Sequence, residues 1–376
     1  MVYKGIYKKN FYTIHGQTIS YDRKYFYCKN CKKGFYYLDH ILKTENLGKF
    51  SPRMNVIISR LNAELPCGKV FELMNDLFGL KLYSSTIQLI GERMDEDIFH
   101  QKTCHELKVE DQKACHRFYI FIDGKLVPFR PDKLSIKTQK KKFARKKFER
   151  NFHEVKNAVI VKERIDGKQE IYYVSYYADK EIFGKYLDTY IQHLGVLNAD
   201  EVIVVADGAK WIWNWVDDYV PNAVRINDWY HSVEYLVNAI KSYFQTAEVK
   251  NTKEYQEFIG NLEIGNTDEI ISILKNWCER KKADSDNPIS KAYTYFKNNH
   301  TRMMYDEYEK KAYLIGSGRV EGANKSLIDD RFCKSGMAWS ERDVNKIIFL
   351  RTLIYNKRFK QYLYQRFGVK NVFSRI

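Results

Sequence analysis

Two short stretches of this chain are apolar at every position, Phe118–Ile122 and Val202–Ala206. Such aromatic and β-branched runs have the composition of strands buried on both faces. Each is followed at once by an Asp-Gly pair, Asp123-Gly124 and Asp207-Gly208, which reads as the strand's end. Between them, Val155–Val161 and Ile171–Tyr177 read as an antiparallel pair joined at Asp166-Gly167, a strong hairpin signal. Glu181–Leu194 has amphipathic helical spacing, Lys210–Val216 reads as a short helix, and Ala223–Ile226 as one more strand. The order strand, strand, strand, helix, strand, helix, strand predicts an α/β unit, residues 116–229, on a mixed five-stranded sheet.

The pattern changes on either side of that unit. Residues 1–48 mix aromatic and polar positions, as at Tyr21, Tyr25 and Tyr27, and predict short strands. Inside them, Cys28-Lys29-Asn30-Cys31 has the form of half a zinc ribbon. A closed site takes four ligands, no second C-x-x-C occurs, and His15, His40 and Cys67 stand at no standard spacing. Zn2+ held there, or a turn carrying two inert thiols, are both open readings. Residues 49–115 turn helical: Val56, Ile57 and Leu61 share a face, as do Val70, Leu73, Met74 and Leu77 up to Gly79. Ser85-x-x-Gln88 then has the form of a capping box. Helix, glycine turn, capped helix is the outline of a DNA-reading helix-turn-helix, and equally of a helical hairpin packed on the core. Residues 230–312 are helical and charged, an insertion broken at Gly260, Gly265 and Asp286-Asn287-Pro288. Residues 313–376 return to the core, with a helix after Ser340-x-x-Asp343 and a basic tail from Lys357.

Charge changes the picture. Lys and Arg outnumber Asp and Glu by 63 to 47, a net +16, which suits a polyanionic partner such as DNA. Lys137, Lys140, Lys141, Lys142, Arg145, Lys146, Lys147 and Arg150 form a run, with Phe143 and Phe148 interleaved, placed to contact phosphates beside the first acidic strand end. Seven cysteines, odd in number and mostly dispersed, suit a reducing cytoplasm. The start lacks the apolar segment of a signal peptide, and no apolar run reaches the roughly 18 residues that span a membrane.

Three acids stand in matching contexts. Asp123 and Asp207 follow buried-type strands, and Glu321 falls in the first turns of a helix starting near Ser317, in GSGRVEG. Hard divalent ions need oxygen ligands converging from separate elements, and two ions about 4 Å apart clamp both oxygens of an in-line phosphoryl displacement. No His or Cys accompanies these acids, which favours Mg2+ over Zn2+. Asp228 and His231 share one side of a helix start, either positioning DNA or water or forming a structural hydrogen bond. Arg319 and Lys325 flank Glu321 and Arg331 lies further along; these are candidate phosphate contacts, with a Glu321–Lys325 surface pair as the alternative. Trp211, Trp213, Trp215 and Trp229 read mainly as core, with one available to stack a base.

The segments FIDGKLVPFR, VVADGAKWIWNW, INDWYHSVEYL and GSGRVEGANKSLIDDRFCKSGMAWS, spanning about Tyr119–Arg351, resemble bacterial insertion-sequence transposases of the Kra and Lre groups, distant relatives of the Mutator-like transposases. The GSGRVEG–GMAWS block is the most specific part. The resemblance implies a ribonuclease-H-like sheet interrupted by a helical insertion. It implies Asp123, Asp207 and Glu321 as a triad holding two Mg2+ ions, for which Mn2+ can substitute, and Asp228 to His231 as an acid-x-x-His motif. The function implied is cleavage and strand transfer of DNA by a homo-oligomer, such as a dimer, on transposon ends and target DNA, in the bacterial cytoplasm at the nucleoid. A nuclease without strand transfer and a domesticated, non-catalytic DNA-binding protein are the alternatives.

Overall fold

The computed structural model describes residues 1–42, 44–45, 47–80, 82–92, 115–130, 151–334 and 337–362. The basic run Lys137–Arg150 and most of the basic tail lie outside the described residues.

Among the described residues, eight strands form two sheets. The first is β1 (Val2–Tyr12), β2 (Thr18–Tyr27) and β3 (Gly34–Tyr36), an antiparallel meander. The second contains β4 (Cys115–Phe129), β5 (Asn151–Arg164), β6 (Gln169–Tyr176), β7 (Glu201–Ala206) and β8 (Val224–Asn227). Its order is β6-β5-β4-β7-β8, with β4, β5 and β6 antiparallel and β7 and β8 running parallel to β4. Both apolar runs therefore sit in the middle, and both faces are covered. Phe118, Ile120, Ile122 and Val204 pack on Phe183, Leu187, Ile191, Ile212 and Val216 from the helices Lys180–Leu194 and Lys210–Tyr219. Tyr119, Phe121, Ile203 and Val205 pack the opposite way, on Leu236, Ile240 and Phe296. Burial on two faces is why these strands show no polar alternation.

One boundary differs from the sequence reading. β4 does not end at Asp123-Gly124; it runs on to Phe129. β7 stops at Ala206, opposite Ile122, but β5 keeps pairing, from Asp123↔Asn157 out to Phe129↔Asn151. Asp123 thus ends the parallel ladder and not the strand.

The residues after β8 form the helices Trp229–Phe244, Lys253–Glu263, Thr267–Lys281, Pro288–Asn299 and Tyr305–Lys310. They share one apolar cluster with the sheet, with Leu262, Leu274, Ile289 and Phe296 fully buried beside Phe121 and Val205. In the N-terminal region follow α1 (Tyr37–Leu42), α2 (Pro52–Glu64), α3 (Cys67–Phe78) and α4 (Ser84–Glu92). Ser51 caps α2 through the Met54 amide, and Gly79 closes α3 at φ 65°. α4 begins at Ser84, so Ser85 lies inside its first turn and is not the cap expected of it. Buried Arg351, on the helix Glu341–Tyr355, donates to the carbonyls of Ala63 and Leu327, each at 2.7 Å, and to Glu64 at 2.6 Å. It fastens α2 to the C-terminal helix. Among the described residues no helix is long and apolar enough to cross a membrane.

Candidate active site

The Ile122↔Ala206 pair is the last of the β4–β7 ladder, so the next residues, Asp123 and Asp207, stand side by side at its C-terminal mouth. Neighbouring strands lie about 4.8 Å apart. The mouth of a parallel pair is where α/β sheets bind ligands. Asp207 Oδ1 accepts the Ala209 amide at 2.9 Å, and Asp123 Oδ1 accepts that of Gly124 at 2.7 Å. Gly208 is required beside Asp207: a Cβ there would lie 2.7 Å from the Tyr295 ring of the Pro288–Asn299 helix, which closes over the mouth.

A buried relay fixes Asp123. Its Oδ2 accepts from Asn324 Nδ2 at 2.6 Å, Asn324 Oδ1 accepts from Asn157 Nδ2 at 2.5 Å, and Ser175 donates to Asn157. Ser175, Asn157 and Asn324 are all buried, so each polar group needs the next. Asn324 follows the helix Gly318–Ala323, which carries Glu321, and opens a π-helical turn over Asn324–Asp329. Glu321 and Asn324 are three residues apart, so they lie on adjoining positions of one helical face.

Asp228 makes the second attachment. It is fully buried, caps the helix Trp229–Phe244 through the Tyr230 amide at 3.0 Å, and accepts from the Ser317 amide at 3.1 Å and the Ser317 hydroxyl. Ser317 Oγ also stands 3.2 Å from Glu321 Oε1. Trp229 N donates to Ile315 O at 3.0 Å, and the Tyr230 ring occupies the space that a Cβ on Gly316 would need. The loop before Glu321 is thereby sewn to the start of the insertion. His231 Nδ1 lies 2.5 Å from Asp228 Oδ2.

Electrostatics follow from this crowding. Burial pushes the Asp123 and Asp207 carboxyls above the ordinary carboxylate range; Asp207 and Asp228 add to this at Asp123, and Glu154 and Asp228 at Asp207. Burial also opposes ionisation of Asp228, but hydrogen bonds from His231 and Ser317 outweigh it and hold that carboxyl low. The Asp228 hydrogen bond raises His231 to about 9, and Asp123 and Asp207 add to the effect, so at neutral pH the imidazole is a cation beside both strand-end acids. Glu321 is exposed. Among the described residues no three His, Cys, Asp or Glu side chains crowd closely enough to enclose an ion. Asp123 and Asp207 border one mouth, and Glu321 is tied to it through Ser317 and Asn324.

Other sequence expectations fare differently. Arg331 is no phosphate contact: it is 3% exposed, with Nε and Nη2 each 3.1 Å from the Asn62 carbonyl and the guanidinium over Trp339. Packing α2 against the C-terminal region puts this charge inside, and burial lowers it to about 10. Arg319 reaches Gln169 at 2.8 Å, at the start of β6 and so at the end of the sheet away from Asp123. Lys325 is exposed. Trp213 and Trp215 are core, Trp211 packs on that core, and Trp229 packs edge-on against Tyr305. Cys28 and Cys31 lie on the β2–β3 turn, and none of the three candidate partners joins them. His15 is on the β1–β2 turn at the other end of the hairpin, His40 pairs with Glu45, and the Cys67 thiol donates to Asn62. Ser317, Asn324, Asn157 and Ser175 escaped the sequence reading. The only sequence trace of the last two is a small polar residue beside an apolar run, Ala158–Val161 and Ile171–Val174.

Comparison with known proteins adds only distant likeness, to solved structures. No family model and no curated protein matches the chain. Among solved structures, the Drosophila P element transposase strand transfer complex aligns over 85% of this chain and 82% of that one, at 11% identity and a TM-score of 0.30.

Proposed function

We propose that this protein is a metal-dependent DNA transposase with a ribonuclease-H-like core, cleaving DNA and joining the freed 3′ end to target DNA. The observation that carries the reading is the pairing of Asp123 and Asp207 at the mouth of β4 and β7, with the Glu321 helix attached to Asp123 through Asn324. Asp123, Asp207 and Glu321 would hold two Mg2+ ions. The donors fit in kind: carboxylate oxygens from three elements suit a hard cation, and burial, with acidic neighbours adding to it, raises the two aspartates. When bound, such ions activate the attacking hydroxyl and offset charge on the leaving oxygen.

The chain's own groups prepare the site. Asn324 orients one Asp123 oxygen, and Asp228 holds the His231 ring by Nδ1, which leaves Nε2–H as a charged donor for a phosphate oxygen. The Pro288–Asn299 helix, against Gly208, walls one side. DNA affinity rests on the +16 surplus, with Lys137–Arg150 and Lys325 as phosphate contacts.

The test offers transposon-end DNA and a target plasmid with Mg2+ or Mn2+, and scores cleavage and joining for wild type and Asp207→Asn. Joined product from wild type alone supports the reading. Cleavage that never proceeds to joining identifies a nuclease instead, and metal-independent or absent cleavage contradicts both.

A further inference from the structure

The helices Trp229–Phe244 and Pro288–Asn299 pack side by side. At one end the Tyr295 ring lies against Gly208 and so reaches the catalytic mouth; at the other, Ser242 donates to Asn287 Oδ1 at 3.2 Å. Between them opens a cavity of about 420 Å³, lined by Tyr235, Asn238, Lys241, Ser242, Pro288 and Lys291. That volume falls within the roughly 300–1,000 Å³ of small-molecule sites. None of the six residues belongs to the carboxylate site.

The spacing of these residues connects the cavity to the mouth. His231, Tyr235, Asn238 and Ser242 stand at i, i+4, i+7 and i+11, one stripe along a single helix. The stripe starts at the imidazole held by Asp228. It is about 16 Å long, the length of roughly four stacked nucleotides of one strand. Just behind the mouth the Tyr235 and Tyr295 rings stack, with 3.9 Å between centroids and 18° between planes. Tyr295 is buried and Tyr235 half-buried, so the first backs the second. Burial raises the Tyr235 phenol, and the charges of Asp207 and Glu234 add to it, which places this ring within the field of the acids. Lys241 and Lys291 close the far end, both exposed. The acids beside the furrow, Glu234 and Asp286, are exposed too; Asp286 stands 3.6 Å from Lys291, a pair that water weakens. The axes of packed helices lie about 8–10 Å apart, so a furrow between them admits one strand and not a duplex. An aromatic face takes any base, and lysines take phosphates without reading sequence.

We propose that the furrow between these two helices holds an unpaired strand of the DNA as it leaves the mouth, with Lys241 and Lys291 on its phosphates and Tyr235 against a base. The inference rests on the DNA reading above and gives the helical insertion a part in it.

The experiment titrates the full chain, without divalent ions, with a short labelled duplex that is blunt or carries an unpaired tail of about four nucleotides at its 3′ or 5′ end. The readout is the ratio of tailed to blunt affinity, which a general loss of positive charge leaves alone. Wild type is expected to favour one of the tailed duplexes about tenfold or more. Lys241→Gln with Lys291→Gln should cut that ratio at least about fivefold, as should Tyr235→Leu, while Tyr235→Phe, which keeps the ring, should retain it. Melting curves establish that each variant is folded, and the lysine pair decides the matter if Tyr235→Leu is not, since both lysines are exposed. No tail preference in wild type overturns the proposal, and so does a preference that survives loss of both lysines. Mn2+-dependent cleavage of DNA by a wild type without tail preference would sink this inference alone; a wild type that binds no DNA would sink the function proposed above with it.

Discussion

Ser317→Ala removes one hydroxyl from between two carboxylates. Ser317 is 2% exposed; its Oγ contacts Asp228 and stands 3.2 Å from Glu321. A hydroxyl has one proton, so it serves one carboxylate at a time. Asp228 would keep three donors: the Ser317 amide at 3.1 Å, the Tyr230 amide at 3.0 Å and His231. A hydrogen bond to a buried charge is worth about 1.5–3 kcal/mol, and three surviving donors put the loss near the lower figure. In a chain of this size that lowers Tm by roughly 2 °C. Glu321 loses its neighbour, and ordering a free Glu side chain costs about 1–1.5 kcal/mol, which predicts kcat/KM lower by roughly 5–12-fold. The assay is Mn2+-dependent cleavage of DNA alongside thermal melting, with Ser317→Thr as the conservative control that retains the hydroxyl. Wild-type Tm and wild-type cleavage in Ser317→Ala would refute the reasoning that this hydroxyl organises the site.

Asp207→Asn should abolish cleavage yet raise the Tm of the metal-free protein at neutral pH, because the carboxyl pushed up by burial and its acidic neighbours disfavours the folded state when ionised; an unchanged or lower Tm counts against this. His231 has a folded value of about 9 against roughly 6.5 unfolded, so its contribution is complete below the lower value and lost as pH rises through the upper; melting curves of wild type should fall towards those of His231→Gln over that window. Neutralising Lys140, Lys141, Lys142, Lys146 and Lys147 should weaken DNA binding whatever the sequence and flatten its salt dependence, read from affinities across ionic strength. Arg331→Met should do the reverse, lowering Tm while leaving the salt slope unchanged, since the guanidinium faces Asn62 and Trp339 and not solvent.

What the sequence made legible is what local physics dictates. Phe118–Ile122 and Val202–Ala206 had to be two-sided strands, and the register between them puts Asp123 beside Asp207. The punctuation of GSGRVEG marked the helix of Glu321. The extension of β4 was hidden by Gly124, which reads with Asp123 as the strand's end. Pro128 is tolerated because β4 has outrun β7 there, and its carbonyl accepts the Trp339 amide at 3.0 Å. Arg331 read as a phosphate contact and Arg351 drew no reading of its own, since only tertiary packing supplies the carbonyls that satisfy them. The Ser175–Asn157–Asn324–Asp123 relay joins residues up to 201 positions apart, beyond any periodicity. The helix start at Asp228 was visible; that its carboxylate would also bind Ser317 was not.

The central claim is that these carboxylates are a divalent-cation site for DNA chemistry. Crystals of the full chain soaked in Mn2+, with the metal located by its anomalous scattering, test it most directly. The account predicts manganese between Asp123 and Asp207 with carboxylate oxygens at about 2.0–2.6 Å, and Glu321, held beside Ser317, completing one shell through its other oxygen. Manganese absent from that mouth at millimolar concentration, or bound elsewhere while Asp123 and Asp207 keep their hydrogen bonds to Asn324 and Ala209, would contradict it.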